Sequence, residues 1–249
     1  MAGVVKVFHS WRCVSDAVVA ALSEPTTDPF VRPILVAPGN AQSRSLLQSL
    51  ARRHGIAAGI DTTTPLGLRE RLEEDLLGIK RENDPWQPGP LALRICRVIE
   101  NNSPGFEVVS AHLEASRRQG VPRATWTTAR QAADAICALA RDSHDVLNAW
   151  ADGAAPTSHQ GDTDLAGDPL DPARAWWAPL WRTLLAKPCH VPDPVSRHQL
   201  LVDAILTQSR SEPPIVWFSS TTTAQHDVSL AEALSASHDV TIVHLDHGI

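Results

Sequence analysis

The stretch Ile34-Leu35-Val36-Ala37-Pro38-Gly39-Asn40 decides the fold class of this chain. Its first four residues form a short apolar run after a proline, which is typical of a buried β-strand. The Pro-Gly-Asn segment has the composition of a turn, and a helix with leucines on one face is predicted from about Ala41 to His54. Gly55 follows at the position where helices commonly end. Strand, turn and helix in this order predict one half of a β-α-β unit.

Apolar, β-branched segments at both ends of the chain predict further strands, namely Val4–Phe8, Ile215–Phe218 and Val240–His244. A segment with helical spacing, Ser229–Ala236, separates the last two of them. The pattern of the opening region therefore returns near the end, and we expect an α/β fold built on a parallel sheet.

The middle of the chain has a different pattern, because apolar residues at helical spacing follow one another there with no strand between them. We therefore predict three regions: the first part of the α/β domain at 1–65, an all-helical insertion at 66–210, and the return to the α/β domain at 211–249. Within the insertion, residues 151–172 are rich in Gly, Pro, Asp, Ser and Thr, which predicts an exposed, mobile loop. The sequence stops directly after a predicted strand, so we expect a truncated sheet.

Composition limits the class of protein and its compartment. The 249 residues carry 22 basic and 28 acidic side chains, a net charge of -6, which argues against a polybasic nucleic-acid arm but not against a local basic groove. The four cysteines form no CxxC pair, and the N-terminus lacks the pattern of a signal peptide. No apolar run approaches the roughly 18 residues that span a bilayer. We expect a cytoplasmic protein without disulfides or a membrane segment.

The sequence offers no catalytic site of its own. The only lysines are Lys6, Lys80 and Lys187, and none of them follows a glycine, so the Gly-Lys-Ser/Thr element of a phosphate-binding P-loop is absent. The chain also lacks clustered carboxylates framed by apolar residues, a Gly-x-Ser-x-Gly elbow and a convincing set of zinc ligands. We expect neither a catalytic residue nor a bound metal or cofactor in this chain.

Aromatic and basic residues leave two questions open. Trp177 and Trp181 share a helical stripe with leucines, which favours core packing, whereas Trp176 lies off that stripe and is a more open candidate for stacking on unpaired bases. Several arginines are scattered along the predicted helices, as on solvated helix faces. A groove that tracks phosphates is the alternative for some of them: Arg52, Arg53, Arg69, Arg71, Arg117 and Arg118.

Several local patterns occur in a fixed order over nearly the whole chain. They are Val7-Phe8-His9-Ser10, Asp28-Pro29-Phe30, Ile34-Leu35-Val36, Ala41-Gln42, Gly55-Ile56-Ala57-Ala58-Gly59-Ile60-Asp61, Ala132-Ala133-Asp134, Ala175-Trp176-Trp177-Ala178-Pro179-Leu180-Trp181 and Pro214-Ile215-Val216-Trp217-Phe218. Each is weak alone. Their order and spacing resemble the N-terminal portion of the RecC family, the gamma subunits of bacterial exodeoxyribonuclease V.

The resemblance implies a fold, a function and partners. It implies a parallel-sheet domain similar to the first motor domain of a superfamily 1 helicase, with its ATPase motifs lost and a helical insertion. Such a subunit acts in double-strand break repair by homologous recombination. It binds duplex ends and single-stranded DNA, splits the duplex and guides the 3′ strand. The beta subunit supplies helicase and nuclease activity and the alpha subunit a second motor, so the ATP and Mg²⁺ of the complex are used by these partners.

The resemblance also implies DNA-binding positions. One group is the polar loop after the second predicted strand, here Asn40, Gln42 and Arg44, and another is the helix that contains Asp134. With Trp176 from the aromatic pattern, these are the candidate DNA contacts. The chain departs from the family where Chi-reading members have polar or charged residues and an aromatic, because Cys137, Ser143 and Ser45 stand there. This departure argues against reading of the familiar Chi sequence.

Two alternatives to this interpretation remain. The chain could be a self-contained α/β domain that binds a nucleotide or small molecule at the Pro38–Arg44 turn, where the amide groups of a helix N-terminus could face a phosphate. On local sequence, the same turn is also consistent with an ordinary connection between strand and helix. The chain could also be a non-functional fragment.

Overall fold

The computed structural model describes residues 4–24, 28, 30–101, 105–153, 176–187, 189–208, 211–220 and 224–246. The chain divides into two compact units, one formed by Met1–Lys80 with Gln199–Ile249 and the other by Arg81–His198. We call them the α/β unit and the helical unit. None of the helices in the described ranges is long and apolar enough to cross a membrane.

The α/β unit is built on five parallel strands. Strands and helices follow one another along the chain as β1 (Val4–Phe8), α1 (Trp11–Leu22), β2 (Ile34–Val36), α2 (Asn40–His54), β3 (Asp61–Thr63), α3 (Pro65–Leu77), α9 (Pro194–Thr207), β4 (Ser211–Ser220), α10 (Gln225–Ser237) and β5 (His238–Leu245). The strand order in the sheet is β1-β5-β4-β2-β3. Helix α9 begins in the helical unit and ends in the α/β unit.

Both faces of the sheet are covered by helices, as parallel sheets require. On one face, apolar residues of α1 and α2 pack on side chains such as Leu35, Val216 and Val243. On the other, α3, α9 and α10 pack on the alternate residues, including Val36 and Trp217. This alternation explains why β2 and β4 read as continuous apolar runs in the sequence.

The two edges of the sheet differ in chemistry. The β3 edge is the polar segment Asp61-Thr62-Thr63, which suits an exposed strand. The β1 edge is apolar, and Val4, Val5 and Val7 are more than half exposed. Strand β1 is held in the sheet by its parallel pairing with β5 from Val4↔Thr241 to Phe8↔Leu245.

In the described residues of the helical unit, every element is a helix. A 3-10 turn (Arg81–Asn83) leads into α4 (Pro88–Glu100), α5 (Glu107–Arg118), α6 (Ala124–Asp142), α7 (His144–Ala151) and α8 (Trp177–Ala186), followed by the start of α9. Trp86 lies in the core and donates from Nε1 to the Val191 carbonyl at 3.1 Å. Its ring contacts Trp181, at 5.6 Å between centroids, and the Arg94 guanidinium, at 4.2 Å. Burial lowers the pKa of Arg94.

A buried ion pair joins the two ends of the helical unit. Arg197 donates from Nη1 and Nη2 to the two carboxylate oxygens of Asp84, at 2.8 and 3.1 Å, across 113 residues of sequence. The side chains are only 5% and 2% exposed. Asp84 also accepts the backbone amide of Trp86 at 2.9 Å. This bidentate contact holds the beginning and the end of the unit side by side.

Most of the predicted elements are confirmed. The structure contains the strands expected around Val4–Phe8, residues 34–37, Ile215–Phe218 and Val240–His244. It also contains helix α2, which ends at Gly55 with a left-handed φ of 81°. The sequence interpretation missed helix α1 and strand β3. Strand β3 has only three polar residues, which give no apolar signal.

The helical unit begins at Arg81, whereas the sequence interpretation began the insertion at residue 66. The difference arises because α3, which has the apolar spacing of a helix, packs on the sheet and buries Leu68 against residues of β2 and β4. Of the loop predicted at 151–172, residues 154–172 lie outside the described residues. Helix α7 ends at Ala151, at the start of that segment.

We predict that Asp84→Asn destabilises the helical unit by about 3–5 kcal/mol, because the change leaves Arg197 buried without its counter-charge. The matched control is Asp134→Asn, which breaks the half-exposed pair with Arg130 in the same unit and should cost no more than about 1 kcal/mol. Denaturant unfolding followed by tryptophan fluorescence measures both. Equal losses in the two variants would contradict this role of the buried pair.

Candidate functional site

The turn between β2 and α2 lies at the carboxyl edge of the parallel sheet. It is held there by the amide of Ala37, which donates to the Thr63 carbonyl at 3.0 Å. Gly39 is the N-cap of α2 in an extended conformation, and no side chain caps the helix. The amide groups of the first turn have no acceptor within a helix. The turn therefore presents uncapped donors and the positive end of the helix dipole.

The three residues expected in this loop lie on the first turns of α2. Asn40 and Arg44 are exposed and Gln42 is half-buried. The Gln42 side chain folds back over the turn, so that its Oε1 lies 3.1 Å from the place a Cβ on Gly39 would take. Between them, Ser43 is buried, and its hydroxyl donates to the Gly39 carbonyl at 3.2 Å. The structure thus places these three polar residues on the first turns of one helix, next to an anchored turn.

The sheet topology makes this edge a topological switch point. From β2 the chain passes through α2 to β3 on one side, and from β4, the neighbour of β2, it passes through α10 to β5 on the other side. The two helices lie on opposite faces of the sheet. Open α/β sheets bind ligands in the crevice that such a divergence leaves at the carboxyl ends of the strands.

Sequence reasoning missed a polar pair at this edge. Ser219 and His244 stand opposite each other at the ends of β4 and β5, and the Ser219 hydroxyl lies 2.8 Å from His244 Nδ1. The two serines that end the apolar run of β4 were the available signal. Among the residues that the structure describes, no three His, Cys, Asp or Glu side chains are grouped so that they could hold a metal ion.

Arg69 was expected on a solvated helix face, and that expectation is wrong. Its side chain is 11% exposed and donates to Glu73 Oε1 at 3.1 Å and to His226 Nδ1 at 3.0 Å. Because an arginine only donates, Nδ1 of His226 accepts and carries no proton. The network joins α3 to the first turn of α10, so Arg69 serves packing of the α/β unit.

Asp134 and Trp176 lie in the helical unit. Asp134 is on α6, and both of its carboxylate oxygens accept from Nε of Arg130 at 3.0 Å, with about half of each side chain exposed. The expectation that Trp176 is open is wrong, because it is 5% exposed. Its ring packs near Phe106 and Trp177, at 6.3 and 6.5 Å between centroids. Trp181 is buried, as predicted.

Cys137, where Chi-reading members of the resembling family have a polar or charged residue, also faces the interior. Its thiol donates to the Trp86 carbonyl at 3.5 Å. Burial, with a smaller contribution from Asp134, raises the pKa of the Cys137 thiol to about 11. A half-buried, protonated thiol that already donates to a carbonyl offers neither charge nor a free donor to a nucleic acid.

Comparison with known proteins identifies relatives over most of the chain. The family profile described as RecC, N-terminal domain, matches residues 8–246. The RecBCD enzyme subunit RecC of Mycobacterium tuberculosis strain H37Rv is 30% identical over 251 residues, which cover 91% of this chain and 20% of that protein. The corresponding protein of Mycolicibacterium smegmatis is 26% identical over 238 residues, which cover 91% and 19%. The chain thus spans about a fifth of the length of these curated relatives.

We predict that thiol labelling at pH 8 distinguishes two cysteines of the native chain. Cys13 is exposed on α1 and should react with a disulfide reagent at once, whereas Cys137 should react much more slowly until the helical unit unfolds, because it is half-buried and the pKa of its thiol is about 11. Mass spectrometry of peptides from native and denatured samples measures the labelling. Rapid native labelling of Cys137 would contradict its placement, and Cys13→Ser is the control for the assignment.

Proposed function

The chain belongs to the RecC family, whose N-terminal domain it matches, and we propose that it acts as a DNA-binding, structural part of an ATP-dependent helicase–nuclease. In this proposal the protein works in the cytoplasm, in double-strand break repair by homologous recombination. It holds the complex together, splits the duplex end and guides the 3′ strand. Chi recognition is a further role that the family resemblance suggests, although the departures at Ser45, Cys137 and Ser143 argue against the familiar sequence.

The names of the relatives support the choice of partners. They are subunits of RecBCD enzymes, so we propose that this protein assembles with a RecB-type beta subunit and a RecD-type alpha subunit. These partners carry the helicase and nuclease activities and use ATP and Mg²⁺. The chain contributes surfaces that bind DNA and the partners, and it contributes no chemical step.

One observation carries the proposal. The uncapped start of α2 lies at the topological switch point of a parallel sheet, and the turn before it lacks the residues that a P-loop needs. Such a place in an α/β sheet is where nucleotides commonly bind. Here the sequence from Pro38 to Arg44 has one glycine and no lysine. We propose that the α/β unit is a motor domain of superfamily 1 type which has lost its ATPase motifs and whose turn contacts a DNA strand instead.

The chemistry of the turn suits contacts to a strand. Arg44 and the amide groups at the start of α2 favour phosphate, which supplies affinity. Asn40 and Gln42 each carry a donor and an acceptor, so their amides can pair with base edges. In the helical unit, Asp134 is paired with Arg130, and this pair is a second proposed contact, in which Arg130 offsets the repulsion between the carboxylate and phosphate.

A second candidate function uses the same turn. The uncapped N-terminus of α2 at a switch point also favours a self-contained domain that binds a nucleotide or small molecule. A ligand that binds only the folded protein stabilises it by about 2.7 kcal/mol at a hundredfold excess over its Kd. A thermal melt with and without nucleotide therefore separates the two candidates.

We predict that the protein co-purifies with its RecB-type and RecD-type partners, and that the assembly degrades linear duplex DNA only with ATP. The control is the partner pair without the polypeptide, which should lack processive activity. Failure to form a complex with soluble partners would contradict the proposal. ATP turnover by the chain alone, abolished by changing Lys6, Lys80 or Lys187, would also contradict it.

A further inference from the structure

Helix α2 lies in a segment that differs in charge from the rest of the chain. Residues 29–60 contain no Asp, Glu or Lys and have only arginines as charged side chains, Arg32, Arg44, Arg52 and Arg53, apart from His54. The whole chain carries 28 acidic residues and a net charge of -6. Arginines of such a segment can attract an anionic partner where no carboxylate from another part of the chain pairs with them.

The exposed side of α2 carries this charge in one stripe. Ser43, Leu46 and Leu50 face the core, whereas Asn40, Arg44, Gln48 and Arg52 are exposed. The four exposed residues follow one another at intervals of four, so they lie along one side of the helix. With a rise of 1.5 Å per residue, Arg44 and Arg52 are about 12 Å apart along the axis.

Two arginines of the segment are engaged with carboxylates. Arg53 lies 4.0 Å from Asp16, and Arg32 lies 3.9 Å from Asp61. Neither Arg44 nor Arg52 has an ion pair or side-chain hydrogen bond within the described ranges of the chain. Their guanidinium groups are therefore available to a ligand.

Helix α3 of the same unit shows the opposite pattern. Its exposed Arg71 stands among Glu70, Glu74 and Asp75, so its charge is offset by its neighbours. Interaction with the helix dipole accounts for basic residues in the last turn of α2, where Arg52 lies. The dipole does not account for Arg44, which is close to the positive end of the helix.

We propose that Arg44, Gln48 and Arg52 form a track for the phosphates of a single DNA strand, which leaves the turn at Asn40 and runs along the exposed side of α2. This inference rests on the proposed function and adds to it a direction for the strand and the contacts at Gln48 and Arg52. The arginines neutralise phosphates without reading sequence, and Gln48 donates a hydrogen bond between them.

The test is the salt dependence of binding between the 249-residue chain and a labelled oligothymidylate. On single strands, the slope of the log binding constant against the log salt concentration is negative, and its magnitude decreases by about 0.7 for each phosphate contact that is removed. We expect a decrease of about 0.7 for Arg52→Ala and about 1.4 for the double variant with Arg44→Ala. Arg52→Lys keeps the charge and should keep the slope.

Arg71→Ala is the matched control, because it removes the same charge from an exposed helix position of the same unit. We expect it to leave the slope unchanged. Circular dichroism checks that each variant is folded. If the unaltered chain binds DNA but Arg52→Ala keeps its slope, the track is wrong and the proposed function stands. The same holds if Arg71→Ala reduces the magnitude of the slope as much as Arg52→Ala does. If the unaltered chain does not bind DNA at all, both are wrong.

Discussion

The parallel pairing of β2 with β4, with Ile34 opposite Ile215, is the contact on which the rest of the α/β unit depends. It joins two strands that are separated in sequence by the whole helical unit. The ion pair between Asp84 and Arg197 holds the two ends of that unit close together. The chain therefore leaves and re-enters the α/β unit at neighbouring points. Because β2 and β4 are neighbours whose crossovers diverge, their pairing also creates the switch point at which α2 begins.

The candidate site at the start of α2 depends on this strand pairing and on a few local contacts. Ser43 anchors the turn, Gln42 folds over Gly39, and the helix begins without a cap, so its donors stay available. The acid-free side of α2 then extends the positive region away from the sheet edge. The side chains of the buried arginines, by contrast, are engaged in contacts within the protein. Arg69 donates to Glu73 and His226, and Arg197 forms an ion pair with Asp84. Exposure and the absence of an ion pair distinguish the arginines that we propose to bind DNA from the structural ones.

Local sequence predicted the parts of the fold that have a strong local signal. Apolar runs identified β2, β4 and β5, and the stripe of leucines with a following glycine identified α2. Three features were not predicted: the order of the strands, the short polar strand β3 and the packing of α3 on the sheet. They depend on contacts between distant residues, which the spacing of apolar residues along the sequence does not encode. For the site, the sequence predicted polar residues on the turn. It misjudged Trp176 and Arg69, because their burial is decided by Phe106 and His226, residues far away in the chain.

The central claim is that DNA contacts the α/β unit at the start of α2. Photo-crosslinking of a single strand that contains 4-thiothymidine, followed by mass spectrometry of the adducts, tests this claim most directly. We predict crosslinks in the segment from Pro38 to His54, which competing unlabelled strand and raised salt suppress. Crosslinks confined to β1, β3 or the far side of α3, or no crosslinks at low salt, would contradict the account.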